Sequence, residues 1–460
     1  MKHALTVALA AFIFLIPSAA WAWGPHSEIG MAGLKVLDKS DPFRTWINND
    51  AGRVGSLSWW DDMAGGAMVV GVCDIRVYTR DCYDIPGFSP ASDYAGHGDP
   101  QSGTYEAFFG RLLQAMHTET PTASMGWLGA VLHDTEDTGA PPHAGKAFSS
   151  SQHGPMEGWV DGSKVNIAGY EPKLLGKTEE EAIKGYAKRL NDLHDYSLER
   201  AKKIFPLAKA KDRPAAEPMI LECANESARA VADVLHTLGY LQSQMNPVKG
   251  AGGLSGTVEC PADPERITAR IMLQGTKFST LADLKGHYEF RNLPPGKYTA
   301  IVMMPRCKPQ NVEVAVEADK QTTKDVTLET NGNLLRNGGL SVRWLHEDQP
   351  DGWCGGPIKG GPNQWTSEPF FVKPGLSVHA TMTWKEGAQA EAAIVWEGKD
   401  WDDKTASKPG DSSLVVTVPA DTKETKVRAA KIFVRCKDPL AKAADNISVK
   451  VESETEPSAK

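Results

Sequence analysis

The sequence predicts an all-α domain followed by two all-β sandwich domains, and three observations support this. Apolar residues recur at three- and four-residue spacing up to about Met245, as on one face of a helix. The Pro- and Gly-rich stretch NPVKGAGG then ends that pattern. Beyond it, apolar and polar residues alternate as they do in half-buried strands. A chain of 460 residues is long enough for several domains of roughly 100 to 200 residues each.

Residues 1–22 have the pattern of a signal peptide. The basic start MKH precedes the apolar run ALTVALAAFIFLIP, and Ala20-Trp21-Ala22 matches the small-x-small site of signal peptidase. The run is shorter than the roughly 20 residues needed to cross a bilayer, and no later segment is apolar enough to be transmembrane. We therefore expect export to the periplasm or the medium, with Trp23 as the first residue of the mature chain.

Residues 23–245 form the predicted helical domain, with helical periodicity in segments such as SMGWLGAVLHD and ESARAVADVLHTLGYLQSQ. Residues 63–104 are rich in Gly, Asp, Ser and Pro and have no periodic pattern. They are predicted to form a long loop, a kind of segment that is often functional in compact domains. Residues 246–253 are the expected linker.

The first β domain is predicted at residues 254–330, where GHYEFRNLPPGKYTAIV indicates two strands around a Pro-Pro-Gly turn. It resembles the carboxypeptidase regulatory-like (prealbumin-like) β-sandwich. The second spans residues 331–455, where the order NLLRNGGL, PDGW, FFVKPGLSV resembles galactose-binding-like jelly rolls, including carbohydrate-binding modules. Exposed tryptophans there could stack on sugars, although tryptophan in a sandwich is more often core. Glycans and a membrane surface are thus candidate partners of the β domains.

Charge and cysteine usage add two expectations. The net charge of -8 is spread along the chain without a basic patch, which argues against a dedicated polyanion binder. Seven cysteines in an exported protein are candidates for disulfides, although sequence does not fix their connectivity. Proximity suggests the pairs Cys73–Cys82, Cys260–Cys307 and Cys354–Cys436, and leaves Cys223 as a buried thiol in a helix.

Histidines and carboxylates cluster in the helical domain, which holds six of the 12 histidines between residues 26 and 153. His133 and Asp137 are four residues apart, so a helix would place them on one face, and His153 and Glu157 repeat the spacing. The Pro-rich turn TGAPPH is expected to end this helix and to return the chain, so that His143 lies near His133 and Asp137. Imidazole and carboxylate are zinc ligands, so the pattern predicts a metal site; structural hydrogen-bonded histidines are the alternative.

The order of Trp23 at a mature N-terminus, His133-xxx-Asp137, His143 and His153-xxx-Glu157 resembles the zinc-dependent phospholipase C and S1/P1 nuclease superfamily. These are helical enzymes with three zinc ions, and the resemblance covers residues 23–245. It implies three ligand sets: Trp23 (α-amino and carbonyl groups), His26 and a bridging Asp137; Asp61, His97, His133 and Asp137; and His143, His153 and Glu157. A deprotonated α-amine binds metal whereas an amide nitrogen does not, so signal cleavage would complete the first set.

Two of these assignments have alternatives. Asp61 in SWWDD matches a Trp-x-Asp sequence of the nuclease branch, with Asp62 as the alternative ligand. His97, in the irregular segment between Asp61 and the His133 helix, is the expected loop ligand, because the resemblance implies a ligand before the AFFGRLLQAMH helix. His117, at the end of that helix, is its competitor. The resemblance also suggests Asp61 as the catalytic proton acceptor from the attacking water.

The resemblance implies a zinc-dependent phosphoester hydrolase. Glutamate at position 157 is the residue type that the phospholipase C branch has at this ligand position. The absence of a basic patch fits a phospholipid substrate better than a nucleic acid. The alternatives are an S1/P1-type single-strand nuclease (3'-nucleotidase), towards which SWWDD leans, and a non-catalytic, metal-stabilised surface-binding protein. A nucleotide phosphoester therefore remains the alternative substrate.

Overall fold

The computed structural model describes residues 25–47, 104–145, 156, 158–261, 269–276, 278–283, 285–343, 350–357, 363–367, 370–396, 403–420 and 429–451. Helices account for the regular structure of its first part, as predicted. They are α1 (His26–Lys35), α2 (Pro42–Trp46), α3 (Thr104–Thr118), α4 (Pro121–Gly139), α5 (Pro141–Ala144), a 3₁₀ turn (Gly162–Lys164), α6 (Glu179–Ala210) and α7 (Arg213–Gln244). The predicted loop at residues 63–104 lies outside the described residues except for its last residue, which begins α3.

Helix α7 is the centre of this region and packs against α1, α2, α4 and α6. Gly33 allows α1 to approach it closely. A Cβ atom on Gly33 would lie 2.6 Å from Val231 Cγ1 and 3.0 Å from the Ala228 carbonyl oxygen, both on α7. Because both distances are shorter than normal van der Waals contact, a larger residue would push the helices apart. This contact sets the position of His26 at the start of α1.

The C-terminal end of α4 is fixed in a similar way. A Cβ atom on Gly139 would lie 1.8 Å from Ser227 Oγ of α7. Ala140 then takes an extended conformation (φ -73°, ψ 125°), and Pro141 opens the short helix α5. Proline is well suited to the first turn of a helix, where its missing N–H has no intrahelical acceptor. The chain therefore turns sharply and carries His143 back along α4.

The first sandwich contains strands β1 (Gly252–Glu259), β2 (Arg270–Leu273), β3 (Ser279–Leu281), β4 (His287–Leu293), β5 (Gly296–Met303), β6 (Gln310–Val316), β7 (Gln321–Thr323) and β8 (Val326–Thr327). One sheet has the order β4-β1-β7, with β8 also pairing with β1, and the other has the order β3-β2-β5-β6. The two predicted strands around the Pro-Pro-Gly turn are β4 and β5. They belong to different sheets, so the turn carries the chain across the sandwich.

The second sandwich contains strands β9 (Trp353–Pro357), β10 (Asn363–Ser367), β11 (Phe370–Phe371), β12 (Ser377–Trp384), β13 (Ala390–Trp396), β14 (Ser413–Thr417), β15 (Ala429–Cys436) and β16 (Ala444–Val451), with helix α8 (Leu440–Ala443) before the last strand. One sheet has the order β11-β15-β10-β9, with β13 also pairing with β15, and the other has the order β14-β12-β16. The prediction of β-sandwich structure after the helices is confirmed.

The tryptophans of the second sandwich divide into two groups. Trp353 and Trp365 are 1% and 3% exposed and belong to its hydrophobic core. Trp384 and Trp396 are partly buried at the edge of that core. The core pair has no face available for a sugar, because a stacking ring needs solvent access.

The first sandwich contacts the end of α3 directly. Glu119 forms an isolated antiparallel bridge with Phe290 of β4. The side-chain amide of Asn292 donates to the His117 carbonyl oxygen at 2.9 Å. Arg111 Nη2 of α3 donates to Ser279 Oγ of β3 at 2.8 Å. The two regions therefore share polar contacts in addition to the short connection between α7 and β1.

The cysteines correct part of the disulfide prediction. Cys260 and Cys436 are buried thiols in the cores of the two sandwiches and form no disulfide, so the expected Cys260–Cys307 and Cys354–Cys436 pairs are absent from the described structure. Each packs as a small apolar side chain, and the Cys436 thiol donates to the Asp438 carbonyl oxygen at 3.0 Å. Burial raises the pKa of Cys436 to about 11.

The other cysteine predictions concern Cys223 and the Cys73–Cys82 pair. Cys223 of α7 is a buried thiol, as predicted, and burial raises its pKa to about 12. The predicted Cys73–Cys82 pair lies outside the described residues. None of the helices in the described part of the chain combines the length and apolar character that a membrane span requires.

Candidate metal centre

The second half of α4 buries an unusual number of polar side chains. Six consecutive residues are at most 2% exposed: His133, Asp134, Thr135, Glu136, Asp137 and Thr138. The two threonines are satisfied within the helix, since Thr135 Oγ1 donates to the Val131 carbonyl and Thr138 Oγ1 to the Asp134 carbonyl. A helix enclosed by protein on all sides normally carries apolar residues, because buried ionisable groups need specific partners. The carboxylates and the histidine therefore mark this half-helix as a candidate site.

Three side chains bring metal-binding atoms together at this point. His26 from α1 and His133 and Asp137 from α4 each place one ligand atom within 4.8 Å of the others, and all three residues are buried. His26 Nε2 is 3.3 Å from Asp137 Oδ1, and His133 Nε2 is 3.2 Å from Asp137 Oδ2. The two imidazole rings stack with their centroids 4.6 Å apart. Each oxygen of Asp137 thus faces a different histidine.

His143 approaches the same carboxylate from α5. Its Nε2 is 3.7 Å from Asp137 Oδ2, and its side chain is largely buried. The Pro-initiated turn after α4 is responsible for this placement, because it reverses the chain within four residues of Gly139. The structure therefore brings three of the predicted ligands, His26, His133 and His143, around the carboxylate of a fourth, Asp137.

The surroundings of Asp137 favour its ionised form. Burial alone would raise its pKa. The charges of His143 and His133 and the hydrogen bonds from His133 and His26 act in the opposite direction and hold the pKa of Asp137 well below its usual range. The site thus contains a buried carboxylate with a strong preference for positive charge nearby.

Glu136 is part of the site and is absent from the residues predicted as ligands. Its Oε2 lies 2.6 Å from His26 Nδ1, and both side chains are fully buried. Burial raises the pKa of Glu136 to about 7, although the hydrogen bond and charge of His26 lower it. Its spacing is the signal that the sequence offers, because Glu136 follows His133 by three residues and so lies on nearly the same helix face.

Several predicted residues lie outside the described part of the chain: Trp23, Asp61, its alternative Asp62, His97, His153 and Glu157. His117, the competitor of His97, is described. Its Nε2 contacts the Glu179 carboxylate of α6, and its side chain is 30% exposed. His117 is not part of the described cluster of ligand atoms.

The chemistry of the donor set fits a divalent metal of the zinc type. Imidazole nitrogens and carboxylate oxygens are both ordinary zinc ligands. In the neutral tautomer that carries its proton on Nδ1, towards Glu136, the Nε2 lone pair of His26 faces Asp137 Oδ1 at 3.3 Å. Two lone pairs at that distance repel unless a proton or a cation lies between them. Among the described residues, His26, His133 and Asp137 would supply the ligands for bound metal here.

Comparisons with known proteins reach only parts of the chain. No curated protein matches it. Among solved structures, alpha toxin from Clostridium absonum is 13% identical, with 64% of this chain and 96% of the toxin covered at a TM-score of 0.32. A type II cohesin–X-dockerin complex from Acetivibrio cellulolyticus is 17% identical, with 19% of this chain and 66% of that chain covered at a TM-score of 0.17. At these TM-scores neither likeness bears on function.

The family comparison concerns the first sandwich. Residues 253–329 match the model of the carboxypeptidase regulatory-like domain. The match begins within β1 and ends just after β8, so it contains nearly all of both sheets of this sandwich. Its architecture of two facing four-stranded sheets agrees with the resemblance read from the sequence. The first β-sandwich of this chain is therefore similar to carboxypeptidase regulatory-like domains in both sequence and architecture.

Proposed function

We propose that the helical region is a zinc-dependent phosphoester hydrolase of the phospholipase C type. The observation that carries the proposal is the buried cluster of His26, His133 and Asp137, with His143 beside it. A purely structural role for these groups would be costly, because buried ionisable side chains stabilise a fold poorly unless charge is balanced. A metal site explains why so many of them meet in one place.

The described residues have separate roles in this proposal. Asp137 directs one oxygen to His26 and the other to His133, an arrangement suited to a carboxylate shared between two ions. Helix packing holds these groups in place, because α1 and α4 both pack on α7. Zinc, when bound, would activate a water and neutralise charge on a phosphate group. The residues outside the described part, Trp23, Asp61, His97, His153 and Glu157, would complete three sets of ligands, and Asp61 would accept a proton from the attacking water.

A phospholipid substrate is favoured by two features of the sequence. Glu157 is the residue type of the phospholipase C branch at this ligand position. The net charge of -8 and the lack of a basic patch disfavour a long polyanion, which such enzymes would hold through several phosphate contacts. The β domains would then serve as accessory modules that contact a membrane surface or glycans, with the edge tryptophans Trp384 and Trp396 available for such contacts.

The decisive experiment assays the purified mature protein side by side on phosphatidylcholine vesicles and single-stranded DNA, with and without a chelator. We expect release of phosphorylcholine that stops on chelation and returns with zinc. Hydrolysis of DNA alone would assign the chain to the nuclease alternative. Loss of folded structure on chelation, without turnover of either substrate before it, would support the non-catalytic alternative and refute the proposal.

The expected start at Trp23 can be tested separately. N-terminal sequencing of the exported protein would identify the cleaved bond, which we expect after Ala22. An otherwise identical protein with one extra residue before Trp23 should bind less zinc and lose activity, because its α-amino group is displaced from the site. Full zinc content and activity in that variant would refute the amino-ligand assignment while leaving the described cluster unaffected.

A further inference from the structure

His26 is held at both of its ring nitrogens by neighbouring residues of α4. Its Nδ1 is 2.6 Å from Glu136 Oε2, and its Nε2 is 3.3 Å from Asp137 Oδ1. Successive residues on a helix point about 100° apart, so the two carboxylates reach the ring from different sides. The orientation of the His26 ring is therefore defined by α4 as well as by its own helix.

A carboxylate at Nδ1 determines which nitrogen carries the proton. In its ionised form Glu136 can only accept a hydrogen bond, so it places the imidazole proton on Nδ1 and leaves the lone pair on Nε2. That lone pair points at the group formed by Asp137 and His133, where the ligand atoms converge. The opposite tautomer would point an N–H group into the candidate site and could not bind a metal there.

We propose that Glu136 is a positioning residue that holds His26 in its metal-binding tautomer and orientation through the Nδ1 hydrogen bond. This inference rests on the metal site of the proposed function but concerns a residue outside the proposed ligand sets. A hydrogen bond at the second nitrogen of a metal-binding histidine raises the basicity of the ligand and restricts its rotation. Full burial of both groups protects this hydrogen bond from competition by water.

The chain offers a matched pair for comparison. His236 of α7 places its Nδ1 2.6 Å from Asp41 Oδ2, the same separation as in the His26–Glu136 pair. Asp41 also caps α2 by accepting from the Phe43 backbone N–H at 2.9 Å. Neither His236 nor Asp41 belongs to the described cluster of ligand atoms. Disruption of this pair should affect stability without affecting metal affinity.

The test measures the zinc dissociation constant of the full-length mature protein by competition with a chelating dye. E136L removes the hydrogen bond and should weaken zinc binding by roughly 10- to 100-fold, the range typical of partners behind a metal ligand. E136Q retains one oxygen that can accept from Nδ1 but loses the charge, so its effect should be smaller. D41N should leave the constant unchanged although it lowers the thermal midpoint.

A second readout reports the tautomer itself. At a pH where Glu136 is ionised, the ¹⁵N shifts of His26 in the metal-free wild-type protein should identify the Nδ1–H form, and E136L should convert His26 to a mixture of tautomers. If E136L fails to fold, E136Q provides the affinity comparison. Wild-type zinc affinity in the folded Glu136 variants, with H26A clearly impaired, would overturn the inference. Zinc binding with this dependence on Glu136, but without phosphoester hydrolysis, would refute the proposed function alone.

Discussion

The helical region and the second sandwich use their buried volume in opposite ways. In α4 the buried side chains include two histidine-contacting carboxylates, Glu136 and Asp137. In the second sandwich the core is dominated by apolar residues, with Trp353 and Trp365 inside it. Apolar burial stabilises a fold directly, whereas buried ionisable groups do so only when their charges are compensated.

This difference indicates that the candidate functional site lies in the helical region. In the second sandwich Trp353 and Trp365 serve packing, and the described core is apolar. The half-helix from His133 to Thr138 buries several ionisable groups, and three histidines converge on one of its carboxylates, Asp137. Substitutions in the two regions should therefore separate metal binding from stability.

The largest effect is expected for Asp137→Asn. This change removes the charge that faces both His26 and His133 while keeping the shape of the side chain. We expect loss of two bound ions together and a fall in activity beyond the roughly 10- to 100-fold effect of outer partners. Metal analysis of the purified variant is the measurement. The matched control is Asp192→Asn on α6, an exposed residue paired with Lys188, and full zinc content in Asp137→Asn would contradict the shared-carboxylate assignment.

The next prediction, Trp353→Ala, tests the core of the second sandwich. The side chain is 1% exposed, and its indole N–H donates to the Asn337 carbonyl oxygen at 3.2 Å. Its loss should lower the unfolding free energy of the second sandwich by about 3–5 kcal/mol through the cavity it leaves. Urea unfolding would measure this, and zinc content at low denaturant should not change. Trp384→Ala, at the edge of the core, should have a smaller effect on stability.

Gly33→Ala connects packing to the site. The added methyl group would lie 2.6 Å from Val231 Cγ1 and must displace α1 from α7. Overpacking of this kind destabilises by about 1–3 kcal/mol, and zinc affinity should fall with it because α1 carries His26. Gly110→Ala on α3 is the control, since its nearest atom would be Ile183 Cδ1 at an ordinary 3.9 Å. Equal stability and affinity in the two variants would show that the close contact is unimportant.

The smallest effect concerns pH in the metal-free protein. The pKa of Glu136 is raised from 4.5 to about 7, so between these values the folded state binds more protons than the unfolded chain. The unfolding free energy should therefore decrease as pH rises through this window, by at most about 1.4 kcal/mol per pH unit. Urea titrations in chelator would measure the slope. Glu136→Gln lacks the carboxyl group and should have a flatter profile, and identical profiles would contradict the assignment.

The sequence predicted the fold class where local patterns are strong. Helical spacing identified the segments of α4 and α7, and alternation identified β4 and β5. It did not assign β4 and β5 to different sheets, because strand pairing depends on contacts distant in the chain. The suggested Cys260–Cys307 and Cys354–Cys436 pairs failed for the same reason, since proximity in sequence says little about where two side chains meet in a core.

The same distinction between local pattern and tertiary contact applies to the candidate metal centre. The contact between His133 and Asp137 could be read from the sequence, because helix geometry alone brings residues four apart together. The proximity of His26 to Asp137 depends on how α1 packs on α7 through Gly33, which is a property of the tertiary structure. The contact between Glu136 and His26 likewise depends on the tertiary structure, because the two residues are 110 positions apart in the chain. The sequence by itself determined the types of ligand and their local spacing, whereas helix packing decided which of them share a site.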